Sequence, residues 1–210
     1  DEPLAPEAME ALREAIARVN EEANLNIQLV LDEPRAFTGF KARLVNFTNV
    51  RNYLALVGPE CRELDGIVGY YGEQLVLLAQ SLGLNSCWVG GTYKVVNRAY
   101  NVDLGQKLAA VVALGYGASQ GVPHRSKAPQ EVAPGYDGAP EWFKRGVDAA
   151  LLAPTALNQQ KFSFSLDGEE NDVPVVRAST KRGAFTQMDL GIAQCHFEIG
   201  AGNVLYRWSE

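Results

Sequence analysis

Two polar stretches of the chain have residue types and spacing that could hold a ligand. The first is a proline-bounded loop in which Arg125 and Lys127 flank Ser126. In extended backbone, alternate residues share one side. Two cations and a hydroxyl on one side could clasp a phosphate group. Taken alone, this pattern is more often that of a solvated loop, so the residues by themselves favour the plainer interpretation.

The second polar stretch is residues 153–160, between a predicted helix end and a predicted strand. Thr155, Asn158 and Gln160 carry hydroxyl and amide groups that both donate and accept hydrogen bonds. Such groups suit a polyhydroxyl chain or the edge of a uracil-like ring. The plainer interpretation, which the residues alone favour, is a helix-terminal turn whose side chains satisfy free backbone groups.

Residues 70–91 are predicted to form a buried helix followed by an apolar turn. Leucine and alanine recur at helical spacing over residues 75–82, and Gly83 follows where a C-terminal glycine belongs. Gly90 and Gly91 then close the short apolar segment. Because glycine has no side chain to shield its peptide N–H group, a flat ligand could lie against this turn.

Residues 117–121 match G-x-S-x-G, the nucleophile elbow of serine hydrolases, with Ser119 as the nucleophile. An elbow needs a helix directly after the serine, but Val122 and Pro123 follow here. A flexible loop leaving a strand is therefore the favoured interpretation. A serine hydrolase remains a weak alternative.

The histidines and cysteines do not have the spacing of a metal site. His124 and His196 are the only histidines, and the cysteines Cys61, Cys87 and Cys195 are far apart. Cys195 and His196 are adjacent, and neighbours on a helix diverge, so a nucleophilic pair is poorly supported. The sequence predicts that the protein binds no metal.

Taken together, these stretches resemble the nitroreductase family of flavin enzymes. Residues 152–164, LAPTALNQQKFSF, are similar to the family's A-P-S-x-x-N-x-Q-P-W-x-F segment, and residues 83–91, GLNSCWVGG, to its G-L-G-x-C-W-[IV]-G segment. Residues 114–117 resemble its strand end L-G-Y-P, and residues 125–132 its basic-Ser-basic-x-Pro-x-Glu tail. The asparagine motif follows the Gly-Trp segment here, an order similar to that of a nitroreductase subgroup with two related, rearranged halves.

The resemblance implies that FMN binds without covalent attachment in a homodimer, with sites at the subunit interface. It implies ping-pong reduction of nitroaromatic, quinone or similar small acceptors by NAD(P)H, with no catalytic side chain because flavin N5 carries the hydride. A flavin-binding store or sensor without turnover is the alternative. It implies that the ribityl chain and flavin edge contact Thr155, Asn158 and Gln160, and that the phosphate contacts Arg125 and Lys127. It also implies that Cys87, Trp88 and Val89 flank the flavin ring, with the N–H groups of Gly90 and Gly91 facing flavin N5 and O4.

The chain departs from the family pattern at several positions. Lys161 stands where proline is usual, Phe162 where tryptophan is usual, and Thr155 replaces serine while keeping a hydroxyl. The family's first phosphate clamp is an Arg-Arg-Ser-x-Arg stretch just before a segment like residues 1–3, and this sequence does not contain it. Without that clamp, phosphate affinity is expected to fall, since ion pairs to phosphate are strong contacts.

Composition narrows the class of partners. The chain has 210 residues, of which 47% are hydrophobic and 21% charged, as in an ordinary soluble globule. A net charge of −6 without a long basic run makes nucleic acid and anionic membranes poor partners. No apolar run reaches membrane-spanning length. Three scattered cysteines fit a reducing compartment, so we expect a cytoplasmic protein.

Hydrophobic periodicity predicts mixed helices and strands. Predicted helices cover residues 6–23, 70–82, 95–104, 141–151 and 185–200, and predicted strands cover 24–31, 53–57, 108–114, 161–167 and 173–177, with loops at 32–41 and 120–140. An α+β or α/β fold in one compact unit follows. The resemblance implies a nitroreductase-like α/β three-layer sandwich, with a central mixed sheet flanked by helices. It implies one domain over 1–210, which the subgroup would divide into related halves at about 1–135 and 136–210.

Overall fold

The computed structural model describes residues 2–38 and 47–209. The α-helices within them are α1 (Pro6–Ala23), α2 (Leu64–Ser81), α3 (Pro129–Val132), α4 (Glu141–Ala150) and α5 (Thr186–Ala201). The strands are β1 (Gln28–Val30), β2 (Asn52–Pro59), β3 (Asn85–Val89), β4 (Gln106–Gly115), β5 (Phe162–Glu170), β6 (Val173–Thr180) and β7 (Arg207–Trp208). This mixture confirms the predicted α+β class.

The described strands form two sheets. One is antiparallel with the order β1-β2-β4-β3, and the other has the order β5-β6-β7 with β6 and β7 parallel. The single central sheet implied by the resemblance is therefore not what the described residues form. The chain divides into a first unit, Asp1–Leu64 with Tyr71–Val122, and a second unit, Asp65–Tyr70 with Pro123–Glu210. The division into related halves at 1–135 and 136–210 stays a prediction.

The core of the first unit is built on β2 and β4, whose central residues are buried on both faces. Tyr53, Ala55 and Val57 are fully buried on β2 and belong to the same apolar cluster as Val111 of β4. The intervening residues of β2 are also fully buried. Burying a large apolar side chain stabilises the fold by about 1.5–3 kcal/mol, so an uninterrupted apolar strand fixes the centre of the sheet.

Helix α1 has the bounds that the sequence predicts. It begins at a proline, which suits a first helical turn, and buries the stripe Leu12, Ile16 and Val19. It ends at Asn24, whose left-handed φ of 51° stops the helix.

Helix α2 begins six residues before the predicted start at residue 70. Gly66 and Gly69 lower helix propensity, so the sequence pattern does not indicate the first turns of this helix. A Cβ added at Gly69 would lie 2.2 Å from the Met188 carbonyl oxygen, and one added at Gly191 would lie 2.0 Å from the Gly66 carbonyl oxygen. These glycines therefore let the start of α2 and the start of α5 approach through their backbones within the second unit.

The chain leaves α2 through Gly83, whose φ of +80° confirms the predicted helix-ending glycine. The apolar turn predicted after it is instead the strand β3, which pairs with β4. The predicted helix at 95–104 is wrong, because no helix forms there. Val96 is buried, but Val95 is 60% exposed and Leu104 fully exposed, so the apolar residues do not share one covered face.

The remaining predictions need smaller corrections. The strand predicted at 24–31 is only Gln28–Val30, and the loop predicted at 32–41 contains the 3-10 turn Pro34–Phe37, while positions 39–41 lie outside the described residues. The connection at 120–140 contains α3 and the 3-10 turn Tyr136–Gly138.

Aromatic packing forms the core of the second unit. The ring of Phe197 on α5 lies 5.5 Å from Phe143 on α4 and stacks 4.8 Å from Phe164 on β5. Strands β5 and β6 extend three residues past their predicted ends at 167 and 177. Ile199 of α5 lies away from this core and is 63% exposed. Within the described residues, no helix is long and apolar enough to cross a membrane.

Candidate functional site

The two polar stretches meet in the second unit through one buried amide. Gln160 is only 3% exposed. Its Oε1 accepts a hydrogen bond from the Lys127 backbone N–H at 2.9 Å. Its Nε2 donates to the Arg125 carbonyl at 2.8 Å and to Asn158 Oδ1 at 2.7 Å. The structure thus joins the predicted phosphate loop to the predicted ribityl turn. We name Arg125, Lys127, Thr155, Asn158 and Gln160 the loop–turn cluster.

The other contacts of the loop–turn cluster use its remaining polar groups. Lys127 Nζ donates to the Gln160 carbonyl at 2.6 Å, and Asn158 Nδ2 donates to the Arg125 carbonyl at 2.9 Å. Thr155 Oγ1 accepts from the Gln160 backbone N–H at 3.1 Å. The Arg125 and Asn158 side chains are nevertheless exposed. The cluster is held by its own hydrogen bonds and still presents polar groups at the surface.

The turn that carries the cluster has strained backbone. Leu157, Asn158 and Gln160 have φ values of 53°, 52° and 41°. Each non-glycine residue in the left-handed region costs about 1–2 kcal/mol, less for asparagine. Such strain persists only where the surroundings over-determine it, and it is common at functional sites. The cluster hydrogen bonds supply that constraint here.

Asp189, in the first turn of α5, binds the same strained turn through two hydrogen bonds. Its side chain is 4% exposed, and it accepts from the Ala156 backbone N–H at 2.9 Å and from Gln159 Nε2 at 2.7 Å. Burial raises the pKa of the Asp189 carboxyl, while the bonds from Ala156 and Gln159 and the charge of Lys161 partly oppose that shift. Nothing in the sequence marks Asp189 as a site residue, because an acidic residue near a helix start is normally explained by the helix dipole.

The basic loop is fixed by the end of α4. His124 Nε2 lies 2.9 Å from the Leu151 carbonyl oxygen, and Ser126 Oγ donates to the same oxygen at 3.1 Å. The hydroxyl expected to help clasp a phosphate is therefore used to anchor the loop. His124 contributes to the same anchor, which explains one of the two histidines without catalysis.

In the first unit, the Cys87–Gly91 segment forms β3 and the turn after it. Trp88 Nε1 donates to Glu73 Oε2 at 2.8 Å, and Glu73 is 1% exposed. Val89 is buried in the core, whereas Cys87 is exposed. Neighbouring protein atoms nevertheless shield the Cys87 sulfur from part of the solvent, and this partial burial raises the pKa of its thiol. A Cβ added at Gly91 would meet no atom within 4 Å, so the space beside this backbone is open.

The predicted site residues therefore fall into two groups, one in each unit. That both groups contact one flavin stays a prediction. No helix follows Ser119 before residue 129, so the nucleophile-elbow hypothesis has no structural support. Over residues 2–38 and 47–209, no three His, Cys, Asp or Glu side chains are grouped as metal ligands would be.

These features define an α+β protein in which a strained polar turn and a basic loop form one hydrogen-bonded cluster. The family model described as "Putative TM nitroreductase" matches residues 1–201, and the chain belongs to that family. The family is one of oxidoreductases.

Two solved structures illustrate the likeness. A Thermotoga maritima protein described as a "putative nitroreductase" superposes with a TM-score of 0.57 at 18% identity, covering 89% of this chain and 81% of that one. This confirms the nitroreductase-like fold. An "FMN-dependent Nitroreductase" from Clostridium difficile gives a TM-score of 0.43 at 15% identity, covering 58% and 81% of the two chains. No curated protein matches the sequence.

Proposed function

We propose that this chain is an FMN-dependent oxidoreductase. It takes electrons from NAD(P)H and passes them, in a ping-pong cycle, to a nitroaromatic, quinone or similar small acceptor. One observation supports the proposal above the others. In a chain of the nitroreductase family, the residues that match the family's phosphate and ribityl motifs meet in the loop–turn cluster.

The cations of the loop–turn cluster fit a phosphate group. Arg125 is exposed and takes part in no ion pair among residues 2–38 and 47–209. Lys127 donates to a neutral carbonyl rather than to a carboxylate, and an ammonium group has three donors. Both positive charges are therefore available to an anion. We assign the FMN phosphate to Arg125 and Lys127.

The uncharged polar side chains of the cluster divide into a contacting group and a positioning group. The side chain of Asn158 is exposed and that of Thr155 is half-buried, so these two can reach a polyhydroxyl chain. The Gln160 amide already makes three hydrogen bonds inside the protein at 3% exposure. We propose that Gln160 fixes the loop and turn, and that Thr155 and Asn158 meet the ribityl chain.

In the first unit, we assign the flavin ring to Cys87, Trp88 and Val89, with the N–H groups of Gly90 and Gly91 at its polar edge. The bond from Trp88 to buried Glu73 fixes the indole, and the open space beside Gly91 leaves its backbone accessible. FMN, when bound, supplies the hydride chemistry. The residues of the chain bind and orient it, and water supplies the protons that the acceptor takes up.

On the resemblance alone, we also propose that the protein works as a homodimer. Its three scattered cysteines lead us to propose that it works in the cytoplasm. Sedimentation velocity over a range of concentrations measures the oligomeric state. A single species with twice the mass of the chain agrees with the proposal, and a monomer at all concentrations contradicts it.

Comparing FMN with riboflavin tests the phosphate assignment, because the two ligands differ only in the phosphate. We expect Arg125→Gln to raise the Kd for FMN about tenfold and to leave the Kd for riboflavin unchanged. Quenching of flavin fluorescence measures both constants. Arg18→Gln, at an exposed arginine of α1, is the matched control and should change neither.

Equal weakening of both ligands by Arg125→Gln would contradict the phosphate assignment. A wild-type protein that binds neither flavin would contradict the proposed function as a whole. If FMN binds but neither NADH nor NADPH reduces it, the protein is a flavin store or sensor.

A further inference from the structure

A cavity in the second unit is lined by residues that are distant in sequence from the loop–turn cluster. It occupies about 340 Å³ between the end of α5 and β7, and we call it the α5–β7 groove. Its lining residues are Glu198, Gly202, Val204, Tyr206 and Trp208. None of them belongs to the site proposed for FMN.

The groove contains a carboxylate that carries an uncompensated charge. Glu198 is half-buried, and its Oε1 accepts from Trp208 Nε1 at 2.8 Å while its Oε2 accepts from the Tyr70 hydroxyl. Both donors are neutral, so the two bonds orient the carboxylate without cancelling its charge. Within the described part of the chain, Glu198 has no ion-pair partner. A partly buried carboxylate of this kind favours a cation beside it.

Two aromatic side chains, Tyr206 and Trp208, form part of the wall of the groove. Tyr206 and Trp208 lie 5.4 Å apart and nearly perpendicular, at 88°. Trp142 stacks on Tyr206 at 5.3 Å, and Phe197 lies 5.3 Å from Trp208, so both rings are held by packing. The negative faces of aromatic rings attract cations, most strongly where water is partly excluded. The walls and the carboxylate therefore favour the same kind of ligand.

One residue that lines the groove has an unsatisfied polar atom. The Tyr206 hydroxyl is buried and has no hydrogen-bond partner among the described residues. Buried polar groups in native proteins nearly always have a partner, and an exception indicates a missing water, ion or ligand.

We propose that the α5–β7 groove binds a small organic cation with an ammonium or guanidinium group, held by the Glu198 charge and the Tyr206 and Trp208 rings. An organic cation matches this set better than a metal ion, because two aromatic side chains and only one carboxylate line the groove. The proposal does not depend on flavin binding or turnover.

Trp208 supplies a direct reporter of binding. The chain has three tryptophans, so full-length protein labelled with 15N-tryptophan gives three indole N–H resonances, and Trp208→Phe assigns one of them. Choline is the probe, and 3,3-dimethylbutanol is its uncharged match in shape. We expect choline to shift the Trp208 resonance saturably and the alcohol to bind about tenfold more weakly or not at all.

Glu198→Gln tests the carboxylate, because glutamine keeps an acceptor for Trp208 but removes the charge. We expect this substitution to weaken choline binding about tenfold. Glu169→Gln, an exposed carboxylate on β5, is the matched control and should bind choline like the wild type.

Four results would overturn the proposal, and the first three are no saturable shift in the wild type, equal responses to choline and the alcohol, and unchanged binding by Glu198→Gln. The first two use only the wild-type protein, so they decide the matter even if Glu198→Gln fails to fold. A Trp208 shift that follows protein concentration and that choline does not reverse would show a protein partner there, and would also overturn it.

Discussion

A single buried side chain, Gln160, determines how the loop–turn cluster is built. Its amide is bonded to one residue of the turn and two residues of the loop, more than thirty positions away in the chain. Both ends of the amide are used, since the oxygen accepts and the nitrogen donates twice. A smaller or charged side chain cannot replace this set of bonds.

We therefore expect Gln160→Ala to destabilise the protein by about 2 kcal/mol, because it leaves the Lys127 N–H without a partner. Urea unfolding followed by circular dichroism measures this change. Gln130→Ala removes an exposed amide bonded only to Asp137 and should cost less than about 0.5 kcal/mol. Equal changes in the two variants would mean that the Gln160 bonds contribute nothing specific.

At the residue scale, sequence reasoning found the side chains of the cluster but not their connections. Arg125 and Lys127 were predicted from their alternation, and Thr155, Asn158 and Gln160 from their hydrogen-bonding groups. Nothing in local pattern shows that two stretches thirty residues apart will share one amide. Nor does it distinguish buried Gln160 from exposed Asn158, because both are polar residues of one turn.

At the element scale, Trp88 links β3 to α2 within the first unit. Gly72 of α2 lies under the indole, and a Cβ added there would be 2.7 Å from Trp88 Cη2. The bond from Trp88 to Glu73 holds the ring in this position. The position of β3, and of the glycines that follow it, thus depends on a small residue in the helix.

We expect Gly72→Ala to destabilise the protein by about 1–3 kcal/mol by overpacking against Trp88. Gly66→Ala lies in the same helix but meets only the Gln187 carbonyl oxygen, at an ordinary 3.7 Å. It should therefore be neutral or stabilising by up to about 1 kcal/mol, since alanine is the better helix former. Thermal unfolding compares the two variants. A Gly72→Ala variant as stable as Gly66→Ala would show that the indole is free to move.

Asp189, at the start of α5, is expected to make the stability of the protein depend on pH. Its pKa is raised above the ordinary 3.8, chiefly by burial, so the folded protein holds this proton more tightly than the unfolded chain does. The stability that Asp189 contributes is therefore greatest below pH 3.8 and is lost as the pH rises through the raised folded value.

The free energy of unfolding of the wild type, minus that of Asp189→Asn, should consequently fall as the pH rises from about 4 to 7. Urea titrations of the two proteins at several pH values measure this difference. Asparagine keeps an acceptor for the Ala156 N–H, which limits the structural change. A difference that is flat, or that rises with pH, would contradict the effect of burial on Asp189.

Sequence patterns predicted the elements best where burial is continuous. The strands β2 and β4 and the stripe of α1 are apolar because they cross a core, and length and periodicity then suffice. The pattern at 95–104 failed because its apolar residues are divided between core and surface. The start of α2 was missed because Gly66 and Gly69 both lower helix propensity, although at Gly69 the close approach of α5 leaves no room for a side chain.

At the scale of the whole molecule, the order of the motifs carried the most information. The asparagine motif follows the Gly-Trp segment in this chain, and the family match over residues 1–201 agrees with the subgroup that this order indicates. Composition and charge made nucleic acid and anionic membranes poor candidates as partners but could not select a cofactor. The proposed flavin site uses residues of both units, and sequence alone cannot show how two separately packed groups combine.

Anaerobic spectroscopy of the flavin-loaded protein tests the central claim most directly. The protein is mixed with FMN, freed of excess, and its visible absorption is followed as NADH or NADPH and then a quinone are added. We expect a yellow protein whose colour is bleached by the nicotinamide and restored by the quinone. A protein that stays colourless with FMN, or whose bound FMN neither nicotinamide can bleach, would contradict it.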